Sequence, residues 1–208
     1  MGLMSVKTHL PSSGVADAKR QAAVERILVL AMDLVMRRGL DVTMDEIADE
    51  VGVGRSTLFR HFESRERLLA GAIESALLRY GEQLPQFSGD WRTWLRAVCD
   101  TVHEMQAAYG RGYWDLTTHT DLAPDIAAVE QRRRGQRRDT MSRIARRLWT
   151  EAGGAGDTPA GVVAVVSAHL SARFTAAVIT DVGQPWHVAS DLAHAAIAAC
   201  IETELTRR

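Results

Sequence analysis

Lysine is nearly absent from this chain: Lys7 and Lys19 are the only two, and arginine supplies the remaining positive charge. Cysteine is almost as scarce. Cys99 and Cys200 lie far apart, without the spacing of a zinc knuckle or redox pair, and are expected to stay reduced in a cytoplasm. Strand-like alternation is missing, which removes sheet-based folds. The most apolar stretch, residues 160–172, is interrupted by His169 and falls short of the roughly 20 residues that span a bilayer. The first residues lack a continuous apolar core after the charge, so no signal peptide is read there. A formal net charge of −1 excludes a blanket polycation, and any nucleic-acid binding must rest on a local basic face. Catalytic signatures are missing as well. There is no Gly-x-Ser-x-Gly turn, His-Glu-x-x-His helix or phosphate loop. Residues 153–157, GGAGD, lack the following Lys-Ser or Lys-Thr and read as a linker. His119 and Asp121 are two candidate metal ligands, too few for a site. No enzyme, metal or cofactor is expected.

What is present is enough apolar material for a core, 46% of 208 residues, arranged with helical periodicity. The most informative stretch is residues 43–69, TMDEIADEVGVGRSTLFRHFESRERLL. Thr43 and Glu46 have capping-box spacing and start a short helix with Ile47, Ala48 and Val51 on one face. Gly52 breaks it, as a tight turn between crossed helices requires. A second helix opens near Gly54 or Arg55. At about 100° per residue, Leu58 and Phe62 face inward, with Arg55 at the edge of that side. Ser56, Thr57 and Arg60 face outward, flanked by Phe59 and His61. Such a polar face suits the major groove: Arg forks onto guanine, and Ser or Thr bonds to bases and phosphates. Ser64 caps the next helix, whose first turn carries Arg65 and Arg67 beside free N–H groups that favour a phosphate. A helical hairpin with an ordinary solvated face would give the same local pattern.

Residues 24–76 resemble the amino-terminal domain of the TetR family of bacterial transcriptional regulators. The resemblance rests on Thr43, Ile47-Ala48, Val51-Gly52-Val53, Thr57-Leu58-Phe59, His61-Phe62, Ser64 and Leu68-Leu69, in order and at that spacing. It implies that Thr43, Arg55, Ser56, Thr57, Phe59, Arg60, His61 and Arg65 face double-stranded DNA. Three positions depart from the family pattern. Gly54 stands where a capping Ser is common, Phe59 replaces a usual Tyr, and Arg65 replaces a usual Lys.

Along the rest of the chain, residues 1–17 read as a flexible arm. A stripe of Ala23, Ile27, Leu30, Ala31, Leu34 and Val35 then predicts a helix from Ala18, stopped by Gly39 after Arg37 and Arg38. Residues 18–64 form the expected DNA-binding head. A linking helix after Ser64 carries Leu69, Ala72, Ile73 and Ala76 on one face and leads into a larger helical domain over 65–208. Helices are expected from Trp91 to about Tyr109, from Pro124 to about Ala152, from Pro159 to about Asp181 and from Trp186 to about Thr206. The arginines between Arg132 and Arg147 read as a solvated helix face rather than a second nucleic-acid surface.

The last two helices are apolar over wide arcs and need partners on more than one side. They either complete the monomer core or pair with a second copy in a four-helix interface; the family resemblance favours a homodimer, with Val166, Leu170, Trp186, Leu192, Ala196 and Ile197 as its expected contacts. Trp94, His103, Tyr113, Trp114, His119 and Phe174 mix aromatic and polar character and are candidate effector-pocket residues. The family resemblance implies a small effector there that lowers DNA affinity. The expectation is therefore an all-α, ligand-responsive, homodimeric repressor at a palindromic operator. The alternatives are a helical small-molecule sensor and a constitutive repressor without an effector.

Overall fold

The side chains of Thr43, Ser64, Asp90 and Ser171 each cap the start of a helix. A computed structural model describes residues 13–109 and 121–207, and every regular element among them is helical. Helix α1 spans Ser13–Arg38. It begins five residues before the expected Ala18, so residues 13–17, anticipated as arm, are helical. Ile27, Ala31, Leu34 and Val35 are buried as the periodicity requires, joined by Met32 and Met36. Ala23 is exposed because the first turns of α1 project beyond the core. Gly39, at φ 93°, ends the helix with its N–H on the Val35 carbonyl.

Helices α2 (Met44–Val51) and α3 (Arg55–Phe62) complete the head, and α4 (Arg65–Gln83) leads away from it. The head core does not stop at residue 64. Ile47, Ala48 and Leu58 share it with Leu68, Leu69 and Ile73 of α4, and with Ile126 and Val129 of a later helix. Leu58 has no exposed surface, and its burial contributes about 2 kcal/mol.

The remaining elements are α5 (Trp91–Ala108), α6 (Pro124–Glu151), α7 (Ala160–His169), α8 (Ala172–Ala176, continued as a π turn through Asp181) and α9 (Trp186–Thr206). They enclose a second core. Leu95, Val98 and Val102 of α5 meet Met141, Ile144, Leu148 and Trp149 of α6, Val162 and Val166 of α7, and Ala193, Ile197 and Ile201 of α9. Gly154 lies so close to the Trp149 ring that a Cβ there would sit 2.1 Å from Cε2, which explains a glycine in that loop.

One expected helix is two. The segment from Pro159 to Asp181 bends by 47° between α7 and α8. The break has two causes. Gln106 Nε2 donates to the Leu170 carbonyl at 3.1 Å, and the Ser171 hydroxyl accepts from Phe174 N–H at 3.1 Å as a fresh N-cap. The first partner lies 64 residues upstream, which no local pattern announces. No single helix among the described residues is long and apolar enough to cross a membrane.

The arginine-rich face of α6 is largely engaged within the chain. Arg132 pairs with Glu74 of α4 at 3.0 Å, Arg137 donates to the Ser167 carbonyl at 2.8 Å, and Arg147 lies over the Phe87 ring at 4.3 Å. Arg133 and Arg134 both converge on Glu130, a residue only 2% exposed. Burial alone would raise the Glu130 pKa. Its hydrogen bond and charge interaction with Arg133, then those with Arg134, outweigh this and hold the carboxyl below its usual value.

Candidate nucleic-acid interface and the carboxyl-terminal sites

Thr43 opens α2 with a complete capping box. Its hydroxyl accepts from Glu46 N–H at 3.2 Å, and its own N–H donates to Glu46 Oε2 at 2.8 Å. The Thr43 N–H, then the Thr43 hydroxyl donating to Oε2 at 3.0 Å, hold the Glu46 carboxyl below its ordinary pKa, with Arg38 adding to the effect. The turn follows from Gly52, at φ 74°, whose N–H returns to the Ala48 carbonyl at 2.9 Å. Gly54 then serves as N-cap of α3 without a side-chain bond. Its carbonyl still accepts from Thr57 and Leu58 N–H.

Leu58 and Phe62 seat α3 on the head core, and this fixes what faces out. Arg55, Ser56, Phe59 and Arg60 are exposed, with half-buried Thr57 and His61 at the margins and exposed Thr43 at the start of α2. Phe59 is 39% exposed, a large apolar ring left at the surface. Arg55 is not idle: it reaches Asp45 at 3.1 Å and lies 5.4 Å from the Phe59 ring centroid. Among the described residues, no carboxylate pairs with Arg60.

Arg65 has a different role from the one expected of a phosphate-binding cation. Its Nε donates to the Val42 carbonyl at 2.5 Å, Nη2 donates to the Leu40 carbonyl, and Nη1 meets Glu66 at 3.0 Å. The half-buried guanidinium braces the loop that presents Thr43, with its donors directed at the protein. Sequence reasoning missed this because those carbonyls lie 23 and 25 residues upstream. Arg67, its neighbour in the first turn, pairs with Glu63.

The expected pocket residues divide. Tyr113, Trp114 and His119 lie outside the described residues. Trp94 is a fastener: its Nε1 donates to the Pro85 carbonyl at 2.9 Å and its ring meets Phe87 edge-on at 5.4 Å. His103 and Phe174 do come together, with ring centroids 5.9 Å apart. His103 is fully buried beside two further buried polar side chains, Gln106 and Thr175, which the sequence reading did not single out. Among the described residues, no group of three or more His, Cys, Asp or Glu could hold a metal ion.

Desolvation drives the His103 pKa down to about 4, opposed by Asp100 and reinforced by His169. The sign is that of a histidine depressed on folding. Between about pH 6.5 and 4 the unfolded chain binds more protons, so stability is complete above the unfolded pKa and falls as pH drops through that window. At 1.36 kcal/mol per pKa unit, the loss reaches about 2 kcal/mol by pH 5. Chemical denaturation at pH 7 and pH 5 is expected to show it, and His103→Gln should flatten the dependence. An equally steep profile in the variant would place the titration elsewhere.

Three expected dimer contacts are corrected. Val166, Leu170 and Ile197 have no exposed surface and complete the chain's own second core. The broad apolar arcs of the last helices are filled by α5 and α6, leaving only their outer edges open. Leu192 is 51% exposed, while Trp186 and Ala196 are half-buried.

Comparison with known proteins agrees with this architecture. Residues 27–72 match the family model for bacterial regulatory proteins of the tetR family. A TetR-family transcriptional regulator from Streptomyces coelicolor superposes with a TM-score of 0.70 at 16% identity, covering 89% of each chain. A second TetR-family regulator from that organism gives 0.64 at 21% identity, over 87% of this chain and 95% of its own. A putative transcriptional regulator from Pseudomonas aeruginosa PAO1 gives 0.64 at 17% identity, over 92% and 94%. A search of curated proteins gave no significant match. At these identities the solved structures speak for the fold, while the head is matched in sequence. Residues 27–72 thus carry a tetR-type domain in sequence, and the chain as a whole shares the all-helical fold of these regulators.

Proposed function

We propose that this regulator is a homodimeric repressor whose two α3 helices read the half-sites of a palindromic operator. A small molecule bound in the carboxyl-terminal region then releases it. The outward face of α3 carries the DNA reading. Ser56 and Arg60 stand exposed and, among the described residues, uncompensated by acid, while Thr43 is presented beside them by a fully capped α2. One head covers only a few base pairs, and two joined heads gain affinity and select symmetry.

The dimer reading rests on what the monomer core leaves over. Ala160, Ala164 and Ala168 of α7 are exposed, and so are Leu192, Ala195 and Ala199 of α9. These neighbouring helices offer small apolar residues that permit close approach by a second copy. Effector control is supported by the buried polar group of His103, Gln106 and Thr175 in an otherwise apolar region. To act, a ligand must bind the operator-competent and incompetent conformations unequally.

Arg60→Ala is expected to weaken operator binding by roughly 1–3 kcal/mol if the guanidinium forks onto guanine. An equal loss on scrambled DNA would assign Arg60 to phosphate instead. The founding experiment titrates the purified protein against DNA from upstream of its own gene, with scrambled DNA alongside, at two salt concentrations. Selective, two-fold-symmetric binding supports the repressor. Failure to prefer any sequence, even after selection from random DNA, would end the reading.

A further inference from the structure

We propose that the bare Nε2 of His103 is the recognition point of the effector site, and that it takes an uncharged, largely apolar molecule presenting a hydroxyl or N–H donor. This deepens the ligand-responsive reading above and rests on it.

The argument is a proton count along one hydrogen-bonded chain. Gln106 Nε2 donates to the Leu170 carbonyl at 3.1 Å, which fixes the amide and turns Oε1 toward Thr175. Thr175 donates its hydroxyl proton to that Oε1. A second acceptor, the Ser171 carbonyl, stands farther away at 3.4 Å. With its proton spent, Thr175 Oγ1 can only accept from His103 Nδ1, 2.7 Å away. His103 is therefore the Nδ1–H tautomer, and Nε2 carries a lone pair.

That lone pair has no partner among the described residues, although the atom is buried. A buried acceptor left unsatisfied is costly, and a donor delivered to it recovers the cost. The depressed pKa of His103 agrees: the ring stays neutral and accepts, so it does not offer a cation to a carboxylate. Selectivity for a donor and against an anion is built into the protonation state.

The surroundings define the rest of the ligand and a way in. The half-buried Phe174 ring lies 5.9 Å from His103 and 5.0 Å from His169, itself half-buried, so the three rings form a file from interior to surface. A ligand reaches Nε2 by displacing Phe174 and replacing its apolar contacts. The position also bears on the head. Thr175 belongs to α8, whose first residue, Ala172, packs in the same core as Ile47, Leu58 and Ile126. An occupant at His103 thus presses on the short helix that touches the head core, next to a π turn, a feature frequent at functional sites.

The test uses the full chain and three matched probes: 4-ethylphenol, ethylbenzene and 4-ethylbenzoate. The 15N resonance of His103 Nε2 is followed during each titration, and release of operator DNA is read in parallel. Expected is a shift of Nε2 with 4-ethylphenol alone, and binding about tenfold or more tighter than ethylbenzene. In His103→Leu that preference should vanish while the hydrocarbon still binds. Equal affinity for phenol and hydrocarbon, a preference for the benzoate, or no binding by any probe overturns the assignment. Should the variant fail to fold, the wild-type resonance still decides. Operator release by a compound that leaves Nε2 unmoved sinks this site but keeps the ligand-responsive regulator. A phenol that docks at Nε2 without releasing DNA keeps the site and sinks effector control.

Discussion

Ala195→Glu is expected to split the proposed homodimer and lower operator affinity about 100-fold or more, the scale of avidity lost when two sites cease to act together. Ala195 is exposed on α9, one turn from Leu192 and Ala199, so the substitution costs the isolated chain little. Across a two-fold axis the same change brings two carboxylates together and buries them without a partner, which an interface of alanines cannot compensate. Sedimentation should show a monomer with unchanged helix content. Binding to a single half-site should survive, since the head core is remote from α9. A variant that remains dimeric would move the interface elsewhere. Ile197, two residues further along α9 and on its inward side, would be a misleading choice. Its side chain is fully buried within the monomer, and its loss would unfold the chain before it tested any interface.

Glu130→Ala is expected to cost about 3–5 kcal/mol of folding stability, the range for breaking a buried ion pair from one side. Glu130 accepts from Arg133 Nε at 2.5 Å, Arg133 Nη2 at 2.8 Å and Arg134 Nε at 2.9 Å. The Arg133 side chain is itself only 11% exposed, so the substitution takes two charge-assisted hydrogen bonds from a buried guanidinium. Arg134, at 54% exposed, is solvated and contributes little. The damage falls at a sensitive place, because Ile126 and Val129 of the same helix pack into the head core. Denaturant titration measures the loss. The double change Glu130→Met with Arg133→Leu should recover most of it, since an apolar pair of similar volume removes the desolvation cost on both sides. If the double variant is no better than the single, the carboxylate has a role beyond pairing. Acid should act in the same direction. The depressed Glu130 pKa means stability that is present above the unfolded value and lost as pH falls through the folded one.

Much of the head was legible before any coordinates. Thr43 with Glu46, Gly52, and Leu58 with Phe62 are local devices whose spacing specifies their geometry, and α2 and α3 form where those devices put them. The last helix, Trp186–Thr206, likewise runs between the ends its periodicity predicts. Side-chain assignments travelled less well. Arg65 reads as a phosphate ligand from its place in a first turn, yet its donors go to Val42 and Leu40. Val166, Leu170 and Ile197 read as interface from an apolar arc, yet they fill the monomer. A hydrophobic arc reports that a partner exists and is silent on whether that partner is the same chain or another.

What this sequence determined by itself is the run of helices and the outward face of α3, because capping, left-handed glycine turns and a 3.6-residue period act over a few residues. Tertiary structure alone decided the break at Leu170, the burial of Glu130 and the partners that set the tautomer of His103. Gln106 meets the Leu170 carbonyl across 64 residues, and His103 meets Thr175 across 72. The reason is physical: a buried polar group takes whichever partner the packed core brings within about 3 Å, and separation along the chain does not enter into that choice.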